Sequence, residues 1–217
     1  ASPYNTAGDK LYMVGHQDGT FPPLGWHVKN EMGGIWAHPI KLWDGFSASY
    51  QLGNQTIQLD KANQFINYPY ANEHRYSGQR IQVSRFQFVP DGKAAVYVEY
   101  VLENTTNQNQ VVQFSMEAIS NLRPVWLGER TGMIDSQDLL SFENNRTIAQ
   151  DGSNNWYAVM GSSHQAIKQI QGHSSKPNTA LAKSTYTLQI PAHQKETIGF
   201  VFSGSSISRE AAISTCS

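Results

Sequence analysis

The sequence predicts an all-β protein, an antiparallel β-sandwich with long loops. Apolar and polar residues alternate through most of the chain, as they do in strands with one buried face. Gly, Asn and Pro interrupt this alternation at short intervals, which is typical of turns between many short strands. Helical periodicity is absent until "SISREAAIS" near the C-terminal end. The length of 217 residues suits one large all-β domain.

The clearest strands form a predicted hairpin. In "IQVSRFQF" (81–88) the two phenylalanines are out of phase with the preceding Ile and Val around Arg85, so we expect a strand with one irregularity. The turn signal "PDG" follows, and "AAVYVEYVLEN" then alternates regularly. Further strands are expected in "VVQFSMEAIS" and at 156–160, 185–190 and 197–202, with "IPAHQKET" as the loop between the last two.

Composition narrows the classes of function. The net charge is −1 and no run of Lys or Arg is present, so we expect no nucleic-acid partner. No apolar stretch is long enough to predict a membrane span. Charged residues make up only 15% of the chain, whereas neutral polar residues are abundant. This balance is typical of β proteins outside the cytoplasm, and we expect a periplasmic or extracellular location.

The sequence does not predict a metal site or another cofactor. Cys216 is the only cysteine, which rules out an intrachain disulfide and a multi-thiolate metal site. The histidines form no H-E-x-x-H motif, and no spaced Asp/Asn cluster resembles a calcium loop. Three glycosylation sequons begin at Asn54, Asn104 and Asn145, although chance explains most such matches in so Asn-rich a chain.

Residues 15–46, "GHQDGTFPPLGWHVKNEMGGIWAHPIKLWDGF", differ from the rest of the chain in their pattern of residues. Gly and Pro interrupt the segment every few residues, which predicts mostly loop with one short strand at 40–43. The pair Gly33 and Gly34 allows a positive φ or a close approach to another surface. In the short strand we expect Ile40 and Leu42 to face the core, with Lys41 and Trp43 on the opposite face.

Trp36 in this segment has two interpretations. Its side chain can be buried in a small hydrophobic cluster beneath a loop, as large aromatic side chains often are. Alternatively, its indole face can pack against the apolar face of a sugar ring, with His27, Glu31, His38 and Asp44 as partners for the hydroxyl groups. The carboxylates of Glu31 and Asp44 also permit a glycosidase pair, which requires a separation of about 5–10 Å. Sequence spacing alone does not single out this pair.

The same segment, together with "LRPVWLGERTG" at 122–132, resembles the N-terminal region of bacterial glycogen-debranching-like proteins. That family is related to glycoside hydrolase family 63 and to other glycosidases with an (α/α)6 barrel. The resemblance implies a β-supersandwich that precedes a helical catalytic barrel. The ending "IGFVFSGSSISREAAIS" is similar to the last sandwich strand passing into a linker helix. We therefore expect a sandwich domain over 1–205 and, at 206–217, the start of a linker to a catalytic domain outside this sequence.

The resemblance also implies roles for residues. The family's catalytic carboxylates lie on the barrel, so no catalytic residue is assigned to this chain, and calcium is conceivable only in the barrel domain. The segment from Glu31 to Asp44 would contact the barrel or help to close its sugar pocket. The residues expected to bind substrate or contact the barrel are Glu31, Gly33, Gly34, Trp36, His38, Trp43, Asp44 and Trp126.

Three hypotheses of function follow. In the first, the chain is the non-catalytic N-terminal domain of a glycoside hydrolase, an inverting α-glycosidase, whose partners are the catalytic domain and an oligosaccharide or polysaccharide. In the second, it is an autonomous carbohydrate-binding module with exposed Trp36, Trp43 or Trp126 as its platform. In the third, it is a small complete enzyme that uses Glu31 and Asp44.

Overall fold

Two antiparallel sheets face each other across a shared core in the computed structural model, which describes residues 1–25 and 29–216. In chain order the first strands are β1 (Pro3–Ala7), β2 (Tyr12–His16), β3 (Gly34–Ala37), β4 (Ile40–Leu52), β5 (Gln55–Gln58), β6 (Gln64–Asn67), β7 (Asn72–Tyr76) and β8 (Ile81–Phe88). The remaining elements are β9 (Ala95–Asn104), β10 (Gln110–Ser120), α1 (Trp126–Arg130), β11 (Asp138–Glu143), β12 (Arg146–Asp151), β13 (Tyr157–Ser162), β14 (Lys168–Gly172), β15 (Ala180–Ile190), β16 (Lys195–Ser205) and α2 (Arg209–Thr215). The predicted all-β sandwich is confirmed.

Each sheet contains eight strands. The first sheet has the order β1-β2-β3-β4-β10-β15-β14, with β5 paired to β4. The second sheet has the order β11-β12-β13-β16-β9-β8-β7-β6. Alternate residues of β9 and β10 are buried between the sheets, as their sequences predict. The hairpin of β8 and β9 is present, and the strands predicted at 185–190 and 197–202 are parts of longer strands. The strand predicted at 156–160 is present as β13, which begins one residue later.

The segment 15–46 is more regular than its sequence predicts. It contributes the end of β2, all of β3 and the start of β4, a strand of 13 residues, where only one short strand was expected. Trp36 therefore lies inside β3, paired with Tyr12 and Lys41, and not on an irregular loop. The loop prediction for this part of the segment is wrong because β3 and β4 pair with each other despite the intervening proline.

The prediction that only Ile40 and Leu42 of the short strand are buried is also wrong. Ile40, Lys41, Leu42 and Trp43 are all at most 1% exposed. The cause is a β-bulge between β4 and β10, where Ser120 pairs with Trp43 but the preceding residue pairs with Gly45. The bulge turns the Trp43 ring into the core, 5.9 Å from the ring of Phe202.

The C-terminal helix α2 packs back onto the second sheet. Ser208 caps it by accepting a hydrogen bond from the backbone N–H of Ala211 at 3.2 Å. The fully buried Ala212 joins Tyr157 and Val159 in a small cluster on the outer side of β13. The predicted start of a helix is thus present, while the division into a domain over 1–205 and a linker from 206 stays a prediction.

Candidate functional site

The site predicted around 31–44 is held together by a close approach of β3 to β4. Gly34 has a φ of 97°, and a Cβ atom on it would lie 2.2 Å from the carbonyl oxygen of Trp43. Only glycine fits this position without moving the backbone. Gly33 is also buried, and a Cβ on it would lie 3.2 Å from the carbonyl oxygen of Pro22. The pair of glycines therefore allows the 29–33 segment to lie against the first residues of β4.

Lys41 is the centre of the polar part of the site. Its ammonium lies 2.6 Å from a carboxylate oxygen of Asp44 and 3.6 Å from that of Glu31, and it donates to the backbone carbonyl of Glu31 at 3.0 Å. The same ammonium lies 5.3 Å from the ring centre of Trp36. Burial lowers the pKa of Lys41, and the carboxylate of Asp44 opposes that effect.

Asp44 has both carboxylate oxygens occupied. One contacts Lys41 and accepts from the amide of Asn121 at 2.7 Å, and the other accepts from Lys176 at 2.7 Å. Burial acts to raise the pKa of Asp44, but the charge of Lys41 and the hydrogen bonds from Lys176, Lys41 and Asn121 outweigh it and hold the pKa below its ordinary value. Asp44 is therefore a carboxylate anchored between two cations.

Glu31 completes the network through Arg123. Its carboxylate lies 3.4 Å from Arg123 and accepts from the amide of Asn121 at 3.3 Å. Arg123 also pairs with Glu129 of α1. We call Glu31, Lys41, Asp44, Asn121, Arg123 and Lys176 the charged cluster. Members of this cluster border a polar cavity of about 360 Å³ that also reaches Asp135 and Asn178.

Within the charged cluster, Asp44 does not suit the role of a glycosidase general acid. A general acid needs a carboxyl group that stays protonated near neutral pH, which requires a raised pKa. The pKa of Asp44 is shifted the opposite way, and two ammonium groups occupy its oxygens. The chemistry that this arrangement supports is the positioning of backbone and side chains, and Asp44 does not suit the role of general acid in a pair with Glu31.

The tryptophans predicted as sugar platforms are placed differently from one another. Trp36 is 7% exposed, donates from its indole to the carbonyl of Met32 at 3.2 Å and stacks against Tyr12 with an angle of 8° between the rings. Trp43 is completely buried. Neither ring offers a free face in this chain, so the hypothesis of an exposed platform is wrong for both. His38 is exposed at the edge, where its ring contacts the hydroxyl of Tyr12 at 3.1 Å.

Trp126 is the one predicted tryptophan with an accessible ring, at 49% exposure. Backbone hydrogen bonds from Val125 to Pro39 and from Lys41 to Arg123 fix α1 beside the start of β4 and hence beside the charged cluster. Leu127 and Ile134, on and just after α1, are 56% and 75% exposed. The guanidinium of Arg130 lies 5.2 Å from the ring centre of Trp126. Trp126, Leu127 and Ile134 form what we call the α1 apolar surface.

The remaining predictions can be placed briefly. His27 lies outside the described residues. Within residues 1–25 and 29–216, no group of three or more His, Cys, Asp or Glu side chains is arranged to hold a metal ion. In the same residues, neither helix has the length and apolar character needed to cross a membrane.

A second set of aromatic residues was missed by the sequence reasoning. Arg85 and Gln87 of β8 point into the sandwich and are buried, so the neighbouring Phe86 and Phe88 stand half-exposed on the outer face. The strand has no irregularity; the alternation simply continues with polar residues facing inwards. The available signal was that a regular strand through "IQVSRFQF" places Arg85 and Gln87 on the same face as Ile81 and Val83.

No protein-family model matches this chain, and no curated protein sequence matches it. Solved structures do share its fold. A protein provisionally named a kojibiose phosphorylase, from the human microbiome, matches 84% of this chain over 26% of its own length, at 10% identity and a TM-score of 0.52. A bacterial glucoamylase in complex with acarbose matches 98% of this chain over 33% of its own length, at 7% identity and a TM-score of 0.61.

A galactose mutarotase-related enzyme from Lactobacillus acidophilus matches 96% of this chain over 99% of its own length, at 7% identity and a TM-score of 0.63. The chain thus spans about a quarter to a third of the two longer enzymes and nearly all of the shorter one. Identities this low show the fold alone. The chain has the β-sandwich fold that these carbohydrate-named proteins share.

Proposed function

We propose that this chain is the non-catalytic sandwich domain of a glycoside hydrolase, an inverting α-glycosidase, and that it packs against a catalytic barrel domain. The observation that carries the proposal is the pairing of two features at one place. The carboxylates of the charged cluster are neutralised by cations, while the large side chains of the α1 apolar surface beside them face solvent.

The α1 apolar surface has the composition of a contact site. Large apolar side chains that stand exposed close together in the chain, as Trp126, Leu127 and Ile134 do, are a frequent mark of protein interfaces. The ion pair of Arg123 with Glu129 and the backbone bonds to β4 make that frame rigid before any partner arrives. A preorganised surface loses less conformational entropy when it binds.

The charged cluster would then shape the entrance to the sugar pocket. Its polar cavity presents the amides of Asn121 and Asn178 and the charges of Arg123 and Lys176, groups that bind sugar hydroxyls when a second wall closes over them. Glu31, His38 and Asp44 would act from the rim of the same surface, and Gly33, Gly34, Trp36 and Trp43 would support it from below.

The comparisons support the class of enzyme. The sandwich occurs within a longer chain in the glucoamylase and in the protein named as a kojibiose phosphorylase. We carry over from them a carbohydrate substrate. The relation to glycoside hydrolase family 63 rests on the sequence resemblance of residues 15–46, of "LRPVWLGERTG" and of the C-terminal ending. The low charge content favours a periplasmic or extracellular location in bacteria, and any calcium would belong to the catalytic domain.

The test uses the complete product of the gene, beside the 217-residue chain. Maltotetraose hydrolysis and thermal unfolding would be measured for wild type, Trp126→Ala and Leu127→Ala. Val111→Ala is the control, because Val111 is an exposed apolar residue of β10 that is not part of the α1 apolar surface. If Trp126 is an interface anchor, its loss costs about 2 kcal/mol or more in the complete protein. In the isolated chain, where the ring is half-exposed, the same change should cost only about 0.5 kcal/mol.

Two outcomes would overturn the proposal. One is equal destabilisation by Trp126→Ala in the complete protein and in the isolated chain, which would make Trp126 an ordinary surface residue. The other is a gene product that ends with this domain and interconverts the anomers of galactose in an NMR assay. That result would favour a stand-alone sugar epimerase, of the kind suggested by the structure that the chain matches over 99% of its length.

A further inference from the structure

The outer face of the second sheet carries a groove that is separate from the charged cluster. The register of β8, β9, β16 and β13 places Phe88, Tyr97, Val201 and Gly161 in one row across the sheet. The neighbouring row contains Phe86, Glu99 and Gly199. The first row continues through Gly161, which the thiol of Cys216 covers, to Arg146. At Gly199 in the second row no side chain rises from the backbone, so the surface drops from an aromatic wall to a low floor.

The aromatic wall is continuous. The rings of Phe88 and Tyr97 stack 5.3 Å apart with 13° between their planes, and the ring of Phe86 lies 6.2 Å from that of Phe88. All three side chains are half-exposed, although similar residues on the inner face are fully buried. The fold therefore leaves three neighbouring aromatic side chains in contact with solvent on one surface.

The opposite wall is polar. It consists of the β11–β12 turn and the end of β13, and it presents Asn144, Arg146, Ser162 and Ser163. The turn is fixed, because Asn145 donates to the carbonyl and hydroxyl oxygens of Ser162 and accepts from the backbone of Ala166. Together the walls enclose a volume of about 520 Å³, within the range of about 300–1,000 Å³ that is typical of small-molecule pockets.

We propose that this groove binds a neutral oligosaccharide. An aromatic wall matches the apolar C–H face of a pyranose. The amide and hydroxyl groups across the groove, with the carboxylate of Glu99 beside the aromatic wall, match its hydroxyls. The charges that border the groove, Glu99 and Arg146, are of opposite sign, which favours an uncharged polar ligand over an anion or a cation. A groove with one apolar and one polar wall also fits a sugar better than a purely apolar protein segment.

Gly199 provides a clean probe of the groove. A Cβ atom on it would meet only the side chain of Ser163, at 3.7 Å, which is an ordinary contact distance. Gly199→Val therefore fills the floor without a backbone clash, and valine suits a strand better than glycine does. Thr197→Val is the matched control, because it places the same side chain on the same strand and face, two residues outside the groove.

The experiment is a titration of the isotope-labelled chain with maltopentaose, cellopentaose and xylopentaose, followed by amide chemical shifts. We expect saturable shifts at Tyr97, Glu99, Ser163 and Gly199 with at least one of the three sugars. Gly199→Val should weaken binding about tenfold or more, a change of about 1.4 kcal/mol. Its melting temperature should not fall, and Thr197→Val should bind like wild type.

Phe88→Leu distinguishes the contribution of the aromatic ring to sugar binding from that of any apolar side chain, because leucine is apolar but has no aromatic face. It should also weaken binding while the protein stays folded. The proposal fails if none of the three sugars shifts the groove amides, or if Gly199→Val binds as well as wild type. Shifts confined to the neighbourhood of Glu31 and Trp126 would likewise refute it. That last result would leave the proposed function standing, since the packing of the α1 apolar surface on a barrel is tested separately by Trp126→Ala.

Discussion

Asp138 makes the stability of this protein depend on pH in an unusual direction. Its side chain is 1% exposed, and one carboxylate oxygen accepts from the hydroxyl of Ser120 at 2.7 Å and the backbone N–H of Leu122 at 3.2 Å. The other oxygen has no hydrogen-bond partner among the described residues. Burial, with a smaller contribution from the negative charge of Asp151, raises the pKa of Asp138 to about 7.

The folded protein therefore holds a proton on Asp138 that the unfolded chain releases near pH 4. Below pH 4 both states are protonated, and between pH 4 and pH 7 only the folded state is. Stability must fall as pH rises through this window, and the fall ends above pH 7, where both states are ionised. Since the pKa rises from 3.8 to about 7, and one pKa unit corresponds to about 1.4 kcal/mol, the full loss is about 4 kcal/mol.

Asp138→Asn tests this reasoning because asparagine resembles the protonated acid. Urea unfolding of wild type and variant, followed by tryptophan fluorescence at intervals from pH 4.5 to 8.5, gives the free energy of unfolding for each. Taking the difference between the two proteins cancels the titration of all other groups. We expect the variant to gain about 3 kcal/mol relative to wild type between pH 4.5 and 8.5. The exposed Asp91→Asn is the control and should show no such trend.

Parallel curves for wild type and Asp138→Asn would refute the assignment of a raised pKa. A difference that changes in the opposite direction would mean that Asp138 is stabilised as a carboxylate in the folded state. In that case a group other than Ser120 and Leu122 must contact its second oxygen.

Two further predictions concern the charged cluster and the sequons. Asp44→Asn removes the closest partner of a buried ammonium and should cost about 3–5 kcal/mol in urea unfolding, whereas Glu117→Gln, which breaks an exposed ion pair, should cost about 1 kcal/mol or less. Similar costs for both would show that the cluster is solvated. When the chain is secreted from a eukaryotic host, mass spectrometry should find a glycan at Asn54 only, because the other two sequon asparagines each donate their side-chain amide to three acceptors. A glycan at either of those would contradict the described contacts.

The strand pattern was predictable because it depends on local alternation. The predicted hairpin and the strands near the C-terminal end are present, although β15 and β16 are each longer than expected. The errors lie where distant residues decide the outcome. Arg85 is buried because it donates to the carbonyl of Gly19 at 2.9 Å and lies 3.4 Å from the hydroxyl of Tyr4, partners 66 and 81 positions away. No local pattern contains that information.

The position of the candidate site in the chain could be predicted from the sequence, but the contacts between its side chains could not. The glycine pair and the density of polar residues located it correctly in the chain. The neutralisation of Asp44, however, depends on Lys176, which lies 132 positions later. The same side chain that looked like half of a catalytic pair is thereby an ion-pair anchor, and only the tertiary structure distinguishes the two.

The errors on β8 and on β4 have the same cause, which is a buried cation, and each buried cation is linked to an exposed surface. The reasoning from sequence expected an irregularity around Arg85 in β8, and it placed Lys41 and Trp43 on the face opposite the core. In the structure, Arg85 on β8 and Lys41 on β4 are each less than 2% exposed. On β8 this inversion turns two phenylalanines outwards onto the wall of the groove, and on β4 it fixes the frame that carries α1 and its exposed tryptophan. Buried cations of this kind cost free energy unless polar partners surround them. We therefore infer that the two surfaces most open to a ligand or a partner exist because the interior of the sandwich is partly polar.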